Sequence, residues 1–231
     1  MTAPLTIAID GPSGSGKSSV ARAVARRLGI GYLDTGAMYR ALTWWCLERG
    51  LDLTDTSAVA EAARTLPLEV GTDPDAPTVT VDGTDVSAAI RTSEVSTAVS
   101  AVATNREVRP VLQQLQRDLM ARIAEETGGV VAEGRDITTV VAPDATVRLL
   151  VTASEEARLR RRSTELHGSA DAAAVEATRD QVVRRDRDDS TVSTFTEAAE
   201  GVHLVDTSDL DLEASIEAVL DVVAGETQGE D

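Results

Sequence analysis

The stretch Gly11-Pro12-Ser13-Gly14-Ser15-Gly16-Lys17-Ser18 constrains the fold of this chain more than any other. It matches the eight-position pattern G-x-x-x-x-G-K-[ST], and it lies between an apolar run, Leu5 to Asp10, and a segment with Val20, Val24 and Leu28 on one helical face. Strand, glycine loop and helix in that order let backbone N–H groups and the helix N-terminus converge on phosphate oxygens, while the glycines let the backbone approach closely. Lys17 is expected to bridge the β- and γ-phosphates of ATP, and the Ser18 hydroxyl to ligate Mg²⁺; Ser19 closes the cradle. Arginine fills 21 of the 22 basic positions, so Lys17 is the one lysine, and chemistry rather than composition explains its survival. Such a loop identifies a nucleotide site without a reaction, since GTPase switches, ATP motors and small-molecule kinases all use it.

The remaining pattern is that of an α/β protein. Gly31 to Asp34, Val130 to Glu133, Val147 to Val151 and Val202 to Asp206 read as further buried strands, and Ser18 to Leu28, Met38 to Arg49 and Val108 to Glu126 as amphipathic helices. Alternating βα units predict a doubly wound parallel sheet wrapped by helices. From Leu66 to about Ile90 the text changes to Leu68, Val70, Val79 and Val81, with Asp73-Pro74 and Asp82-Gly83 as turn signals, which predicts a small antiparallel insert on the parent sheet. For 231 residues this gives a core over 1–65 and 100–225, an insert over 66–99 and a disordered tail over 226–231.

Charge is unevenly placed. The first 187 residues carry 22 basic and 26 acidic side chains, whereas 13 acids and no Lys or Arg follow Arg187. An acidic C-terminal stretch disfavours nucleic-acid polymers and anionic membranes as partners, and an aromatic share of 2% argues against base-stacking binders. Cys46 stands alone beside Trp44 and Trp45 on an apolar helix, which suits a core position in a reducing compartment. With no basic leader and no apolar run of membrane length, a cytoplasmic monomer is expected. His167 and His203 have no partners at metal spacing and are assigned to structure or surface.

Two motifs follow strand ends: Asp34-Thr35-Gly36-Ala37-Met38-Tyr39-Arg40, and Glu133-Gly134-Arg135-Asp136. In an open α/β sheet that edge holds the ligand, so Arg40 and Arg135 are able to face the phosphate loop across one crevice. Glu133, beside the loop, is placed to hold Mg²⁺ through water, which the motif does not decide. Together with Ile90 to Val95 (I-R-T-x-E-V), Gly134 to Asp136 (G-R-D) and Arg185 to Asp189 (R-D-x-x-D), these motifs make the chain resemble the bacterial cytidylate kinases of the P-loop nucleoside monophosphate kinase superfamily. The match spans nearly the whole chain, and it is the ordered set rather than any single motif that is specific.

The resemblance implies the nucleoside monophosphate kinase fold with a mobile helical lid, and transfer of the ATP γ-phosphoryl group to CMP or dCMP, giving CDP or dCDP, in pyrimidine metabolism. It implies that Arg40 and Arg135 hold the acceptor phosphate, and guanidinium forks match phosphate oxygens bidentately. It assigns Ser100, Arg109 and Asp136 to the base, Arg185 and Asp189 to the ribose, and Asp34, Thr35 and Tyr39 to acceptor contact. Arg109 is otherwise a helix-surface charge, Ser100 a polar face, and Thr35, Gly36 and Tyr39 a turn that packs the next helix. It also places Arg158, Arg161 and Arg162, on a lid hairpin over about 158–187, against the transferring phosphoryl group; their alternative is a solvated basic face. A P-loop kinase for UMP or another small metabolite, and a nucleotide-gated binding module, are the competing readings. No guanine-reading N-K-x-D motif exists in this sequence.

One departure stands out. Family members commonly continue R-D-x-x-D-x-x-R, the last arginine helping to bind the acceptor phosphate, and here Val192 takes that place. The S-P that usually follows is also absent around Val192 to Phe195. The expectation is that Arg40 and Arg135 carry more of the phosphate, that Arg184 or Arg187 compensates in part, and that Val192→Arg tightens CMP binding.

Overall fold

The structure is a computed structural model and describes residues 4–228. Five parallel strands form the main sheet: β1 (Leu5–Asp10), β2 (Gly31–Asp34), β6 (Gly129–Gly134), β7 (Val147–Thr152) and β8 (His203–Asp206), in the spatial order β2-β6-β1-β7-β8. β3 (Leu68–Val70), β4 (Val79–Val81) and β5 (Thr84–Asp85) form a separate antiparallel sheet. The α/β class and the two kinds of sheet are those read from the sequence.

Side-chain alternation on β1 builds both layers. Ile7 and Ile9 face α1 (Lys17–Leu28) and α8 (Leu212–Gln228), packing with Val20, Val24, Val219 and Val223. Ala8 faces the other layer, where Met38 of α2 (Thr35–Glu48) and Met120 and Ile123 of α5 (Val108–Thr127) cover it. A sheet covered on both faces needs apolar residues at nearly every position, which is why these strands read as continuous runs. Full burial of a side chain such as Ile7 contributes about 1.5 to 3 kcal/mol.

Helix α2 starts at Thr35, ahead of the expected Met38, because the Asp34 carboxylate accepts the Ala37 N–H at 2.8 Å and caps it. Two helices escaped the sequence reading: α3 (Thr56–Arg64) and α4 (Ser93–Ala103). They close a second core with α2 and α5 around Leu42, Val59, Val102 and Leu112, in which Cys46 is fully buried. The small sheet turns at Asp82 and Gly83, both left-handed with φ of 50° and 72°. It is the expected antiparallel insert, a sheet separate from the parent one. Val79 and Val81 pack on the small residues Ala37 and Ala41 of α2, and the edge strand β2 meets the insert through the Tyr32 N–H, which donates to the Thr72 carbonyl at 2.9 Å. Residue 99, the expected end of the insert, falls inside α4.

Helices α6 (Glu155–His167) and α7 (Ala172–Asp189) form the expected hairpin. Of the stretch expected to be disordered, 226–228 is helical and the rest lies outside the described residues. Val219 and Val223 seat α8 on the sheet, and Glu226 pairs with His203 at 2.9 Å. Part of the C-terminal acidity is answered there too, since Glu213 and Glu217 both pair with Arg27 of α1. Among the described residues no helix is long and apolar enough to cross a membrane.

Candidate active site

β1 ends at Asp10, a buried carboxylate that accepts the N–H groups of Ile137 (3.0 Å) and Thr138 (2.8 Å) and the Thr138 hydroxyl (2.6 Å). It ties the sheet edge to a π-helical turn at Ile137–Val141. Burial outweighs those three donors and pushes its pKa up to about 6. The glycine loop follows. A Cβ on Gly11 would stand 2.1 Å from the Val151 carbonyl oxygen, and one on left-handed Gly14 (φ 78°) 2.5 Å from that of Arg158. Gly16 begins α1 with no side-chain cap, so the first amides of α1 stay free for an anion.

Lys17 lies with its Nζ 3.8 Å from Glu133 Oε2, and the Tyr32 hydroxyl donates to Glu133 Oε1 at 3.1 Å. Burial draws the Lys17 pKa down against the opposing pull of Glu133, and burial likewise raises that of Glu133. Ser18 neighbours the same carboxylate and lines the crevice with Ser13 to Lys17 and Ser19. Gly11 and Pro12 lie behind that wall. Among the described residues no three His, Cys, Asp or Glu side chains converge as a metal cage.

The crevice has a volume of about 540 Å³ and runs from the phosphate loop to the acceptor motifs. Arg40, nearly closed to solvent, donates to Ser96 Oγ at 2.9 Å and to the Ile90 carbonyl at 3.4 Å. Arg135 lies between two carboxylates, 3.0 Å from Asp186 and 2.6 Å from Asp189, and Arg185 is 3.7 Å from Asp189. Thr35 Oγ1 donates to the Glu133 carbonyl at 2.8 Å, and Tyr39 and Asp34 complete this side, Asp34 standing 3.4 Å from Arg91. Burial lowers the pKa of Arg40 and of Arg185, and around Arg185 the charges of Arg135 and Arg40 add to it. Cations so crowded favour an entering anion. Among the described residues, Ser15 Oγ, Arg135 Nη1, Arg185 Nε and Asp189 Oδ1 are buried without a well-formed hydrogen bond; a phosphate group can accept from the first three, and Asp189 Oδ1 needs a donor such as a ligand hydroxyl.

At the far end Arg109 Nη2 donates to Asp136 Oδ2 at 2.6 Å, and Gln113 Nε2 to the same oxygen at 2.7 Å. Gln113 was not read from the sequence, although its place four residues after Arg109 on α5 puts both on one face. Ser100 is not part of the wall; its helix presents Val99 and Ala103 there.

The lid arginines diverge. Arg162 lines the crevice, paired with Glu165 at 2.7 Å. Arg161 also lines it, but donates to Thr207 Oγ1 (2.9 Å) and to the carbonyls of Thr207 (2.6 Å) and Leu210 (3.1 Å) after β8. Arg158 stays outside, bonded to the Ser13 carbonyl at 3.0 Å and to Asp186, whose carboxylate also accepts the Ser13 N–H at 3.3 Å. In this structure it braces the phosphate loop rather than facing the crevice. Val192 opens on a neighbouring groove with Arg106, Arg109 and Gln113, and Ser193 takes the crevice side. Arg184 and Arg187 do not fill in for the missing arginine, because both face solvent, Arg187 with 76% of its side chain exposed. Arg91, Arg161 and Arg162 are the further cations of the wall.

A phosphate loop and a second, arginine-lined anion site at the C-terminal edge of one parallel sheet define a P-loop α/β kinase fold. The profile of the cytidylate kinase family matches residues 7–225. The chain is 52% identical over 219 residues to a cytidylate kinase of Streptomyces avermitilis, covering 94% of this chain and 91% of that protein. It is 50% identical over 223 residues to a cytidylate kinase of Cutibacterium acnes, covering 96% and 97%. A bifunctional pantoate ligase/cytidylate kinase of Synechococcus sp. (strain WH7803) is 44% identical over 96% of this chain and 45% of its own length. The chain belongs to the cytidylate kinase family, as its motifs suggested.

Proposed function

We propose that the protein transfers the γ-phosphoryl group of ATP to CMP or dCMP, giving ADP and CDP or dCDP. The observation that supports this best is the single crevice with Lys17 and the α1 amides at one end, Arg40, Arg135 and Arg185 in the middle, and Arg109 with Asp136 at the other, where Gln113 holds the Asp136 carboxylate from outside the wall. An oxygen of the acceptor phosphate attacks the γ-phosphorus while the bond to the β–γ bridging oxygen breaks. The attacking oxygen already carries charge, so positioning and electrostatic stabilisation carry the step. Lys17 neutralises the leaving ADP, Arg40 and Arg135 hold the acceptor phosphate, and Arg162 faces the charge spread over the transferring group.

Ser18 would hold Mg²⁺ through its hydroxyl, with Glu133 acting through water. Bound there, the ion would supply charge neutralisation to the phosphates. Asp136 accepts the cytosine amino group and Arg109 stands beside its acceptor edge, whereas uracil sets O4 against the carboxylate. Arg185 and Asp189 serve the ribose. Residues 66–99 serve as an acceptor-side unit and 158–187 as a lid that excludes water on closure. We read the protein as a cytoplasmic monomer of pyrimidine metabolism, with neither nucleic-acid polymer nor membrane as partner.

ADP release from ATP–Mg²⁺, measured with CMP, dCMP, UMP, AMP and GMP offered separately at equal concentration, tests the reading. CMP and dCMP should exceed UMP, and AMP and GMP should be poor. Activity on AMP or GMP far above CMP overturns it, and slow ATP hydrolysis without acceptor dependence favours a nucleotide-gated module.

A further inference from the structure

The guanidinium of Arg135 lies over the ring of Phe195, with Cζ 4.5 Å from the ring centroid. Phe195 is fully buried and is the only phenylalanine of the chain. The segment after α7 brings it there: Ser193 donates both its N–H (3.1 Å) and its hydroxyl (3.0 Å) to the Asp189 carbonyl, folding the chain back beneath Arg135. Two carboxylates from the last turn of α7, Asp186 and Asp189, hold the edge of the same guanidinium. This is also the stretch where Val192 replaces the arginine that relatives were expected to carry.

We infer that Phe195 is a positioning residue for the acceptor phosphate, holding the Arg135 guanidinium by its face so that its in-plane donors stay directed along the crevice. The inference rests on the proposed role of Arg135 at that phosphate. All five guanidinium donors radiate in the plane, so a ring on the face uses none of them. Asp186 and Asp189 restrain the edge, and the ring resists tilting out of the plane. An aliphatic side chain would fill the same volume without attracting the cation, because the attraction comes from the negative face of the ring. With Val192 in place of a further arginine, only Arg40 shares the acceptor phosphate, so disorder in Arg135 falls directly on acceptor binding.

A single phenylalanine allows a clean test. Protein made in a phenylalanine auxotroph fed 4-fluoro-, 3,5-difluoro- or 3,4,5-trifluorophenylalanine changes at Phe195 alone, with the ring's attraction for a cation falling stepwise at nearly constant size. The KM for CMP should rise with each added fluorine, reaching about 3- to 10-fold in the trifluoro protein, with kcat and the KM for ATP nearly unchanged. A merely structural ring would instead move thermal stability, or both KM values together, with no order in fluorine number. A flat CMP KM across the series, in proteins with unchanged melting temperature, overturns the role of Phe195. Arg135→Gln in the unmodified protein separates the two ideas. If it raises the CMP KM while the fluorine series is flat, only the Phe195 inference fails; if it leaves the CMP KM unchanged, the assignment of Arg135 fails, and this inference with it.

Discussion

Arg109 and Asp136 meet at 2.6 Å with both side chains largely closed to solvent, and Gln113 donates to the same carboxylate oxygen. The other oxygen, Oδ1, accepts no hydrogen bond from the described residues, so the pair presents one free acceptor to whatever base enters. Asp136→Asn replaces a pure acceptor by a group able to donate to uracil O4. The UMP to CMP ratio of kcat/KM should rise by an amount corresponding to about 1 to 3 kcal/mol. Steady-state kinetics with both acceptors check it, and an unchanged ratio removes Asp136 from base reading.

Lys17→Ala should lower kcat by about 100-fold or more, as expected when a charge aimed at the reacting phosphates is lost. It also leaves Glu133 buried without its nearest cation, so the carboxyl takes up a proton more readily. The fold should persist, because the rest of the loop and α1 are unaltered. Far-UV circular dichroism beside single-turnover transfer checks both parts, and near-normal kcat contradicts the assignment of the loop.

Asp10 makes stability depend on pH. Its folded-state pKa of about 6 lies above the ordinary 3.8, so the folded protein holds the proton more tightly than the unfolded chain. The resulting stabilisation is complete below about pH 4 and is lost as pH rises through about 6, a change on the order of 3 kcal/mol. Asp10→Asn cannot titrate, and it turns a donor toward one of the N–H groups that Asp10 now accepts. Urea denaturation should show wild type exceeding Asp10→Asn by more at pH 4.5 than at pH 7.5. An equal difference at both values, or the opposite order, excludes the shift.

The structure reverses the expectation for Val192. Val192 lines the groove shared with Arg106 and Arg109 and is not among the residues that line the crevice with Arg40, Arg135 and Arg185. Val192→Arg should therefore leave CMP affinity within about twofold, since like charges at an exposed groove are largely screened. Isothermal titration calorimetry decides, and a clear tightening would show that the segment after α7 swings its side chains inward on binding.

Local signals carried far in this sequence, and long-range ones did not. β1 ends where an apolar run meets a glycine, and α1 follows a loop with one functional reading, so both were legible to the residue or nearly so. α3 is short and alanine-rich, and its face of Val59, Ala60 and Ala63 resembles neither a strong stripe nor a strand. Arg158, Arg161 and Arg162 share one helical face but not one target, because the helix climbs about 1.5 Å per residue and so sets Arg158 about one turn away from the other two. Which arginine reaches the crevice thus depends on where α6 is seated. The seating is fixed partly by Gly14 against the Arg158 backbone, a contact between residues far apart in the chain. Phe195 carried no signal at all, since nothing near it in sequence marks a cation above its ring.

The strand order turns the sheet into a ruler. The phosphate loop springs from β1, Arg135 and Asp136 follow β6, and Asp34 ends β2, and these three strands are consecutive neighbours. Parallel strands repeat at about 4.8 Å, so the roots of the donor loop and the acceptor arginine stand one such step apart, and the root of α2 one step further. Backbone hydrogen bonds thereby set the gap that a phosphoryl group has to cross. A rearrangement of α6 and α7 or of the small sheet leaves the distance between those two roots unchanged, and substitutions that merely loosen the α6–α7 hairpin should slow turnover without altering where the two phosphates meet.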